Sequence, residues 1–195
     1  MNVFRLSDSP EEAARFHCDK HVNKMLLEAG QLLCTVLRRQ GYDDDYLYQK
    51  THTGHPILDW IEESQENFYW VKRLALALND EKEFRYGGSH KTHREVITNL
   101  PDRPPELPDV DETPQYQAMP DMYKRNSPVM GYRVYYVNDK DRIAEWNKGR
   151  EMPSWYKRML PRAKRWAKWA ERPITGWLAN PRLTSWRSEK SCAVC

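Results

Sequence analysis

The chain has 195 residues, of which 39% are hydrophobic and 30% charged, with eight tryptophans. That length suits one domain with a modest, aromatic-rich core, or a domain with a small appendage, and excludes two large domains. No apolar run approaches the roughly 18 residues of a membrane span and Met1 to Leu6 has no signal-peptide character, so a soluble, intracellular protein without a membrane partner is expected. Net charge is only +3, but it is unevenly spread: residues 1–121 hold 14 Lys and Arg against 22 Asp and Glu, and residues 122–195 hold 17 against 6.

Met1 to Leu6 alternates apolar and polar residues and reads as a short strand or an extended lead-in. Ser7 to Glu12 is a strong helix start, with a serine cap, Pro10 at the first helical position and acids in the first turn. A first helix should run from Pro10 to about Phe16, bending into or continuing as the central helix. That helix is the organising element. Val22, Met25, Leu26, Ala29, Leu32, Leu33, Val36 and Leu37 recur in steps of three and four, one buried stripe, and Gly41 is placed to stop it. Along its flank lie His17, Lys20, His21, Lys24, Glu28 and Gln31. The bland reading of this edge is a solvated face with a Lys24–Glu28 pair and Asp19 against the helix dipole.

Gly41 to Thr53 reads as a loop with an acidic tip. A second long helix should begin near His55-Pro56 and run to about Leu78, followed by a shorter piece from Glu81 to Tyr86 and a break at Gly87-Gly88. Ser89 is placed to cap a short helix through Asn99. Six prolines between 101 and 120 mark a linker or a strap over the surface. Ser127-Pro128 opens a helix from Val129 to about Asn138, and a basic helix is expected over Arg142 to Lys148. The expected fold is mainly α: a helical, bundle-like single domain over 1–155 with the proline-rich strap at 101–120, then a basic, Trp-rich helical tail over 156–195. Val22, Met25, Leu26, Leu33, Ile61, Phe68, Val71 and Leu74 should lie in the core.

The basic C-terminal third holds six of the eight tryptophans. Cations for phosphates and flat rings for unstacked bases suit a nucleic-acid surface; the alternative is an aromatic-clamped tail folded on an acidic body. In the first reading Arg142, Trp146, Lys148, Trp155, Lys164, Arg165, Trp166 and Trp169 bind DNA. Ala144-Glu145-Trp146 leading to Trp155, and Ala167-Lys168-Trp169 leading to Trp177, suggest fold-back clamps between paired tryptophans. Cys192 and Cys195 read as part of a frayed tail, and no disulfide framework is present.

All six histidines fall in close pairs: His17 with His21, His52 with His55, and His90 with His93. Such pairs could converge on a metal, though none matches the His-Glu-x-x-His zinc helix. They also belong to a potential anion site. His17, Lys20, His21, Lys24, Arg85, His90, Lys91, His93 and Arg94 are cations or potential cations in an otherwise acidic region, able to neutralise a phosphate or diphosphate. The stretch Arg85 to Arg94 is not a phosphate loop of the Gly-x-x-x-x-Gly-Lys-Ser/Thr kind, so no ATPase follows. Serine-hydrolase, kinase and zinc-deaminase signatures are absent.

The segments His-Cys-Asp-Lys-His-Val-Asn-Lys-Met-Leu-Leu-Glu-x-x-Gln-Leu-Leu-Cys-Thr (17–35), Thr-His-x-x-His-Pro (51–56), Phe-Arg-Tyr-Gly-x-x-His-Lys (84–91) and Ala-Met-Pro-Asp-x-Tyr-Lys (118–124) resemble a family of small phage-encoded proteins, over about residues 1–155. This family is described as amino acid:DNA transferases of thymidine hypermodification. The resemblance implies an enzyme in the cytoplasm of an infected host cell that transfers an amino acid or amine onto phosphorylated or pyrophosphorylated 5-hydroxymethyluracil in DNA, without a cofactor. The tail beyond Trp155 departs from the family's pattern. The resemblance carries no residue roles, so the site is read from the chain itself: His17, His21, Glu28 and His93 as catalytic residues, Lys20, Lys24, Arg85, His90, Lys91 and Arg94 as phosphate ligands, and no metal. Residues 17–24 and 85–94 are expected to meet in one pocket. The alternatives are a metal-dependent, all-helical hydrolase or nuclease using the paired histidines, and a non-catalytic DNA-binding protein.

Overall fold

The computed structural model describes residues 1–160, and all statements of structure below concern these. Their order is α1 (Pro10–Phe16), α2 (Asp19–Arg39), α3 (Pro56–Glu62), α4 (Gln65–Tyr86), α5 (Lys91–Glu95) and α6 (Pro128–Asp139), with short 3-10 turns between, and residues 154–160 are helical again. No strand occurs among the described residues, so the mainly α reading holds for them, and none of their helices is long and apolar enough to cross a membrane.

The helix ends follow the local chemistry. Ser9 caps α1 by accepting from the Glu12 amide, with Pro10 at the first position. The chain then bends at His17 and Cys18, both extended, before α2 begins. At the other end of α2, the Gly41 amide donates to Arg38 O and the Tyr42 amide to Leu37 O, and Gly41 takes a φ of +98°. That is a Schellman ending, which an L side chain at 41 would strain.

The expected long helix from His55 to Leu78 is instead two. Ser64 breaks it: its hydroxyl accepts from the Glu66 amide, capping α4, and donates to Val110 O at 2.6 Å. Asn67 closes the corner by donating to Trp60 O. In the other direction α4 continues without a break through Asn79 to Tyr86, absorbing the piece expected at 81–86. After the Gly87-Gly88 turn, His90 and not Ser89 caps α5, its Nδ1 accepting from the Thr92 amide.

α2 and α4 are antiparallel partners. Arg85 near the end of α4 meets Asp19 at the start of α2, and Arg39 at the end of α2 meets Glu62 beside the start of α4. Between these ends the eight expected core residues are all buried, at most 4% exposed. α5 packs on α2 where Gly30 has no side chain; a Cβ there would stand 2.5 Å from Thr92 Cγ2.

The lead-in is irregular, not a strand, with the Leu6 amide donating to Phe4 O, and it is buried: Val3, Phe4 and Leu6 lie in the core. The proline-rich segment is indeed a strap. It is stitched down by Gln65 N to Pro108 O, Thr113 N to Asn67 Oδ1, Gln115 Nε2 to Val3 O and Asn2 Nδ2 to Ala118 O.

The basic helix expected over Arg142 to Lys148 does not form; a 3-10 turn covers Asp141–Ile143 and the chain then runs irregularly. These residues have another task. Glu145 O accepts from the Asp19 amide and the Asn147 amide donates to Asp19 Oδ2, so the segment caps the start of α2.

Candidate functional site

The residues singled out on α2 and around the Gly87-Gly88 turn fall into three environments. The first is structural. Arg85 is buried, and its five N–H groups are spent on Glu81 Oε2 twice, His17 O, Asp19 Oδ1 and Arg15 O. No donor remains for a phosphate, which corrects its assignment as a phosphate ligand. It does join the 17–19 and 85 segments, but as a clamp between backbone and carboxylates. Glu81 also holds Arg150; burial raises its pKa, but the bonds and charges of Arg150 and Arg85 outweigh this and hold it below the ordinary glutamate value.

The second environment is the turn after α4. Asn79 Oδ1 accepts from Ser89 Oγ and from the His90 amide, while Lys82 Nζ donates to Gly87 O and Gly88 O. His93 Nδ1 lies 3.0 Å from Ser89 Oγ, and Arg94 donates to Ser89 O. Lys91 is exposed and sits near Glu95. Burial, then the charges of Lys82, Arg94 and His93, lower the pKa of His90. These contacts are local, holding the turn rather than reaching toward the polar edge of α2. Positions 28 and 30 of α2 lie about 200° apart around the helix, and α5 sits on the Gly30 side. Arg85 and Tyr86 do reach the start of α2, the Tyr86 hydroxyl donating to Asp19 O at 2.9 Å, but the contacts of Ser89 to Arg94 give no single pocket uniting 17–24 with 85–94.

The third environment brings together residues from four elements. Glu28, with a side chain 12% exposed, accepts the Asn2 amide at 2.8 Å and has Lys24 Nζ at 3.8 Å. The N-terminal ammonium of Met1 lies 3.8 Å from Glu28 Oε2, and burial, followed by that ammonium, chiefly lowers the pKa of nearby His55. Two turns back from Glu28, His21 stacks on Phe4 with centroids 5.0 Å apart at 26°, and Phe4 stacks on Tyr135 at 6.0 Å and 21°. Tyr123 lies 5.3 Å from Tyr135, and Lys140 Nζ sits 4.8 Å from the centre of the Tyr135 ring. Lys20 is exposed on the same helix.

His17 and His21 are not cations here. His17 is fully buried, with Nδ1 donating to Ala13 O at 2.7 Å, and burial followed by the nearby Arg85 charge brings its pKa down to about 4. For His21, burial and then the charges of His17, Lys140 and Lys24 bring it to about 3. Both are neutral imidazoles at pH 7, and His17 is shielded from any substrate, which corrects its assignment as a catalytic residue. Among the described residues no three His, Cys, Asp or Glu side chains are grouped to hold a metal ion.

Of the DNA-binding set, Arg142 and Lys148 are exposed, whereas Trp146 and Trp155 are buried. Trp146 donates to Phe16 O and meets Tyr156 edge-on, and Trp155 packs against Phe16, Tyr136 and Tyr156. They are core rings, not stacking platforms for bases, and the clamp expected between them is bridged by Tyr156. Lys164, Arg165, Trp166, Trp169, Trp177, Cys192 and Cys195 lie outside the described residues.

Sequence reasoning found Glu28, Lys24 and His21, but passed over Asn2, His55, Tyr123, Tyr135 and Lys140 as members of this site. His52 and His55 carried a local signal, a close pair followed by proline, and His52 has a positive φ of 51°. Lys140 and the tyrosines carried none, because their approach depends on how α6 packs over the lead-in. No protein family, curated protein or solved structure matches this chain.

Proposed function

We propose that this chain is a DNA base-modifying transferase that places an amine nitrogen, from an amino acid or another amine, on the 5-methylene carbon of a phosphorylated or pyrophosphorylated 5-hydroxymethyluracil. The observation that carries the reading is the shielded Glu28 carboxylate with Lys24 one turn away, on the helix whose His21 joins a stack of flat rings. The incoming amine must lose a proton as its nitrogen bonds to carbon. A carboxylate in a recess serves as that base, and Glu28 has lone pairs beyond the one taken by Asn2. As the N–C bond forms, the C–O bond to phosphate breaks, and the electron pair leaves with the phosphate or diphosphate. Ammonium groups such as Lys24 stabilise that charge. The reaction requires the base to leave the duplex, and exposed or half-exposed tyrosine rings suit an extruded pyrimidine. The resemblance of residues 17–35, 51–56, 84–91 and 118–124 to the phage transferases supports the same chemistry.

The test is mass spectrometry of nucleosides from phage DNA made with the wild-type gene, without it, and with Glu28→Gln. The wild type should yield an amine-bearing thymidine derivative that both other samples lack. Identical nucleosides in all three would end the proposal.

A further inference from the structure

We propose that His21, Lys24 and Lys140 form a binding site for a phosphate or diphosphate ester, with Tyr123, backed by Tyr135, as the ring wall for the base attached to it. The proposal rests on the transferase reading only for the identity of that ester. Three separately built elements bring the site together. α2 places His21 and Lys24 three residues apart, on neighbouring turns. The lead-in inserts Phe4 against His21, and the end of α6 brings Lys140 Nζ to 5.9 Å from the Phe4 ring centre and 4.8 Å from that of Tyr135.

The three polar groups have different roles. Lys24 is 67% exposed in its side chain, and its carboxylate neighbour at 3.8 Å is beyond hydrogen-bond distance, so its ammonium is free to turn toward a ligand. Lys140 is more enclosed, at 23%, and its Asp139 partner is itself half-exposed. His21 Nδ1 is buried with no partner among the described residues. A neutral imidazole carries one proton, and a buried, unpaired N–H is costly, so the proton belongs on Nε2. His21 thus offers one directed, uncharged N–H between two ammonium groups. Two lysines lie near a ring kept neutral by burial and by their charge, Lys24 unbonded and Lys140 held to a half-exposed Asp139 at 2.7 Å, and a doubly charged phosphate or diphosphate engages both. The Tyr135 face is covered by Phe4 and Tyr123, which leaves the outer face of Tyr123 for the base.

The rival anion site is the Ser89–Arg94 turn. Titration calorimetry with inorganic pyrophosphate and with thymidine diphosphate, on the full chain, separates them. Wild type should bind both, Lys24→Ala and Lys140→Ala should each weaken both by about tenfold, as expected for loss of one charge-assisted bond, and Arg94→Ala should change neither. Tyr123→Ala should weaken only the nucleotide. Absence of binding by the wild type, unchanged binding by both lysine variants, or a loss confined to Arg94→Ala overturns the proposal. Glu28→Gln should still bind pyrophosphate, whereas tight pyrophosphate binding by a wild type that leaves DNA unmodified would count against the transferase reading and leave the anion site standing.

Discussion

Arg85 Nη1 donates to Asp19 Oδ1 at 3.1 Å, tying the last turn of α4 to the first residue of α2. The same guanidinium holds Glu81 and two backbone carbonyls, and its side chain is fully buried. Arg85→Ala would leave two buried carboxylates short of a partner, so it should cost about 3–5 kcal/mol. Urea unfolding measures this directly. Arg85→Lys should recover only part, because one ammonium cannot reproduce five hydrogen bonds to four acceptor atoms in a fork geometry. A loss below about 1 kcal/mol for the alanine variant would mean that Asp19 and Glu81 are satisfied by Asn147 and Arg150 alone.

The buried histidines set the pH response. In the unfolded chain both titrate near the ordinary value of 6.5, while folding lowers His17 to about 4 and His21 to about 3. Below 6.5 the unfolded state therefore binds more protons, and stability falls as pH drops through 6.5 toward the folded values. Each histidine contributes a slope of about 1.4 kcal/mol per pH unit in that window. Above pH 6.5 the contribution is fully present. His21→Phe, able to stack on Phe4 without titrating, should reduce the slope of unfolding free energy between pH 6 and pH 4 by about 1.4 kcal/mol per pH unit, and an unchanged slope would show that His21 does not stay neutral in the fold.

Leu26 and Leu27 are neighbours in sequence about 100° apart around α2, one fully buried and the other 39% exposed. Leu26→Ala should cost about 2–5 kcal/mol as a core truncation, whereas Leu27→Ala should stay within about 0.5 kcal/mol. Similar losses for both, measured by thermal unfolding, would show that the Leu27 face is covered in solution.

The period of α2 was legible because apolar side chains every three or four residues leave a helix one way to bury them, and Gly41 ended it for a backbone reason. The break at Ser64 was legible only as a polar interruption, since the Val110 carbonyl that holds its hydroxyl comes from the strap, 46 residues away. Arg85 shows the harder limit. A cation in an acidic region reads as a ligand-facing charge, yet its neighbours Glu81 and Asp19 supplied the anions from within the fold. His17 and His21 looked cationic for the same reason: burial decides protonation, and burial follows from the lead-in and α6, not from α2. The helix expected over 142–148 failed because capping α2 outweighed local helix propensity, which is weak in so short a segment. Lys140 and Tyr123 entered the candidate site through tertiary packing alone.

Trp146 and Trp155 were expected to stack on bases and instead belong to the core, whereas Arg142 and Lys148 remain exposed. These two pairs should therefore respond differently when DNA binding is measured. Trp155 touches Phe16, Tyr136 and Tyr156, with the Arg133 guanidinium 5.1 Å above its ring. Trp155→Ala should cost about 3–5 kcal/mol of stability. Held at a temperature where it is still folded, that variant should show the wild-type dependence of DNA affinity on salt, because no phosphate contact has been removed. Arg142→Ala with Lys148→Ala should leave stability nearly unchanged and reduce the slope of log affinity against log salt by about 1.8, two released counterions at roughly 0.9 each on duplex DNA. An unchanged slope in the double variant would place the phosphate contacts elsewhere on the chain, and a reduced slope in folded Trp155→Ala would mean that the tryptophan positions those cations as well as filling the core.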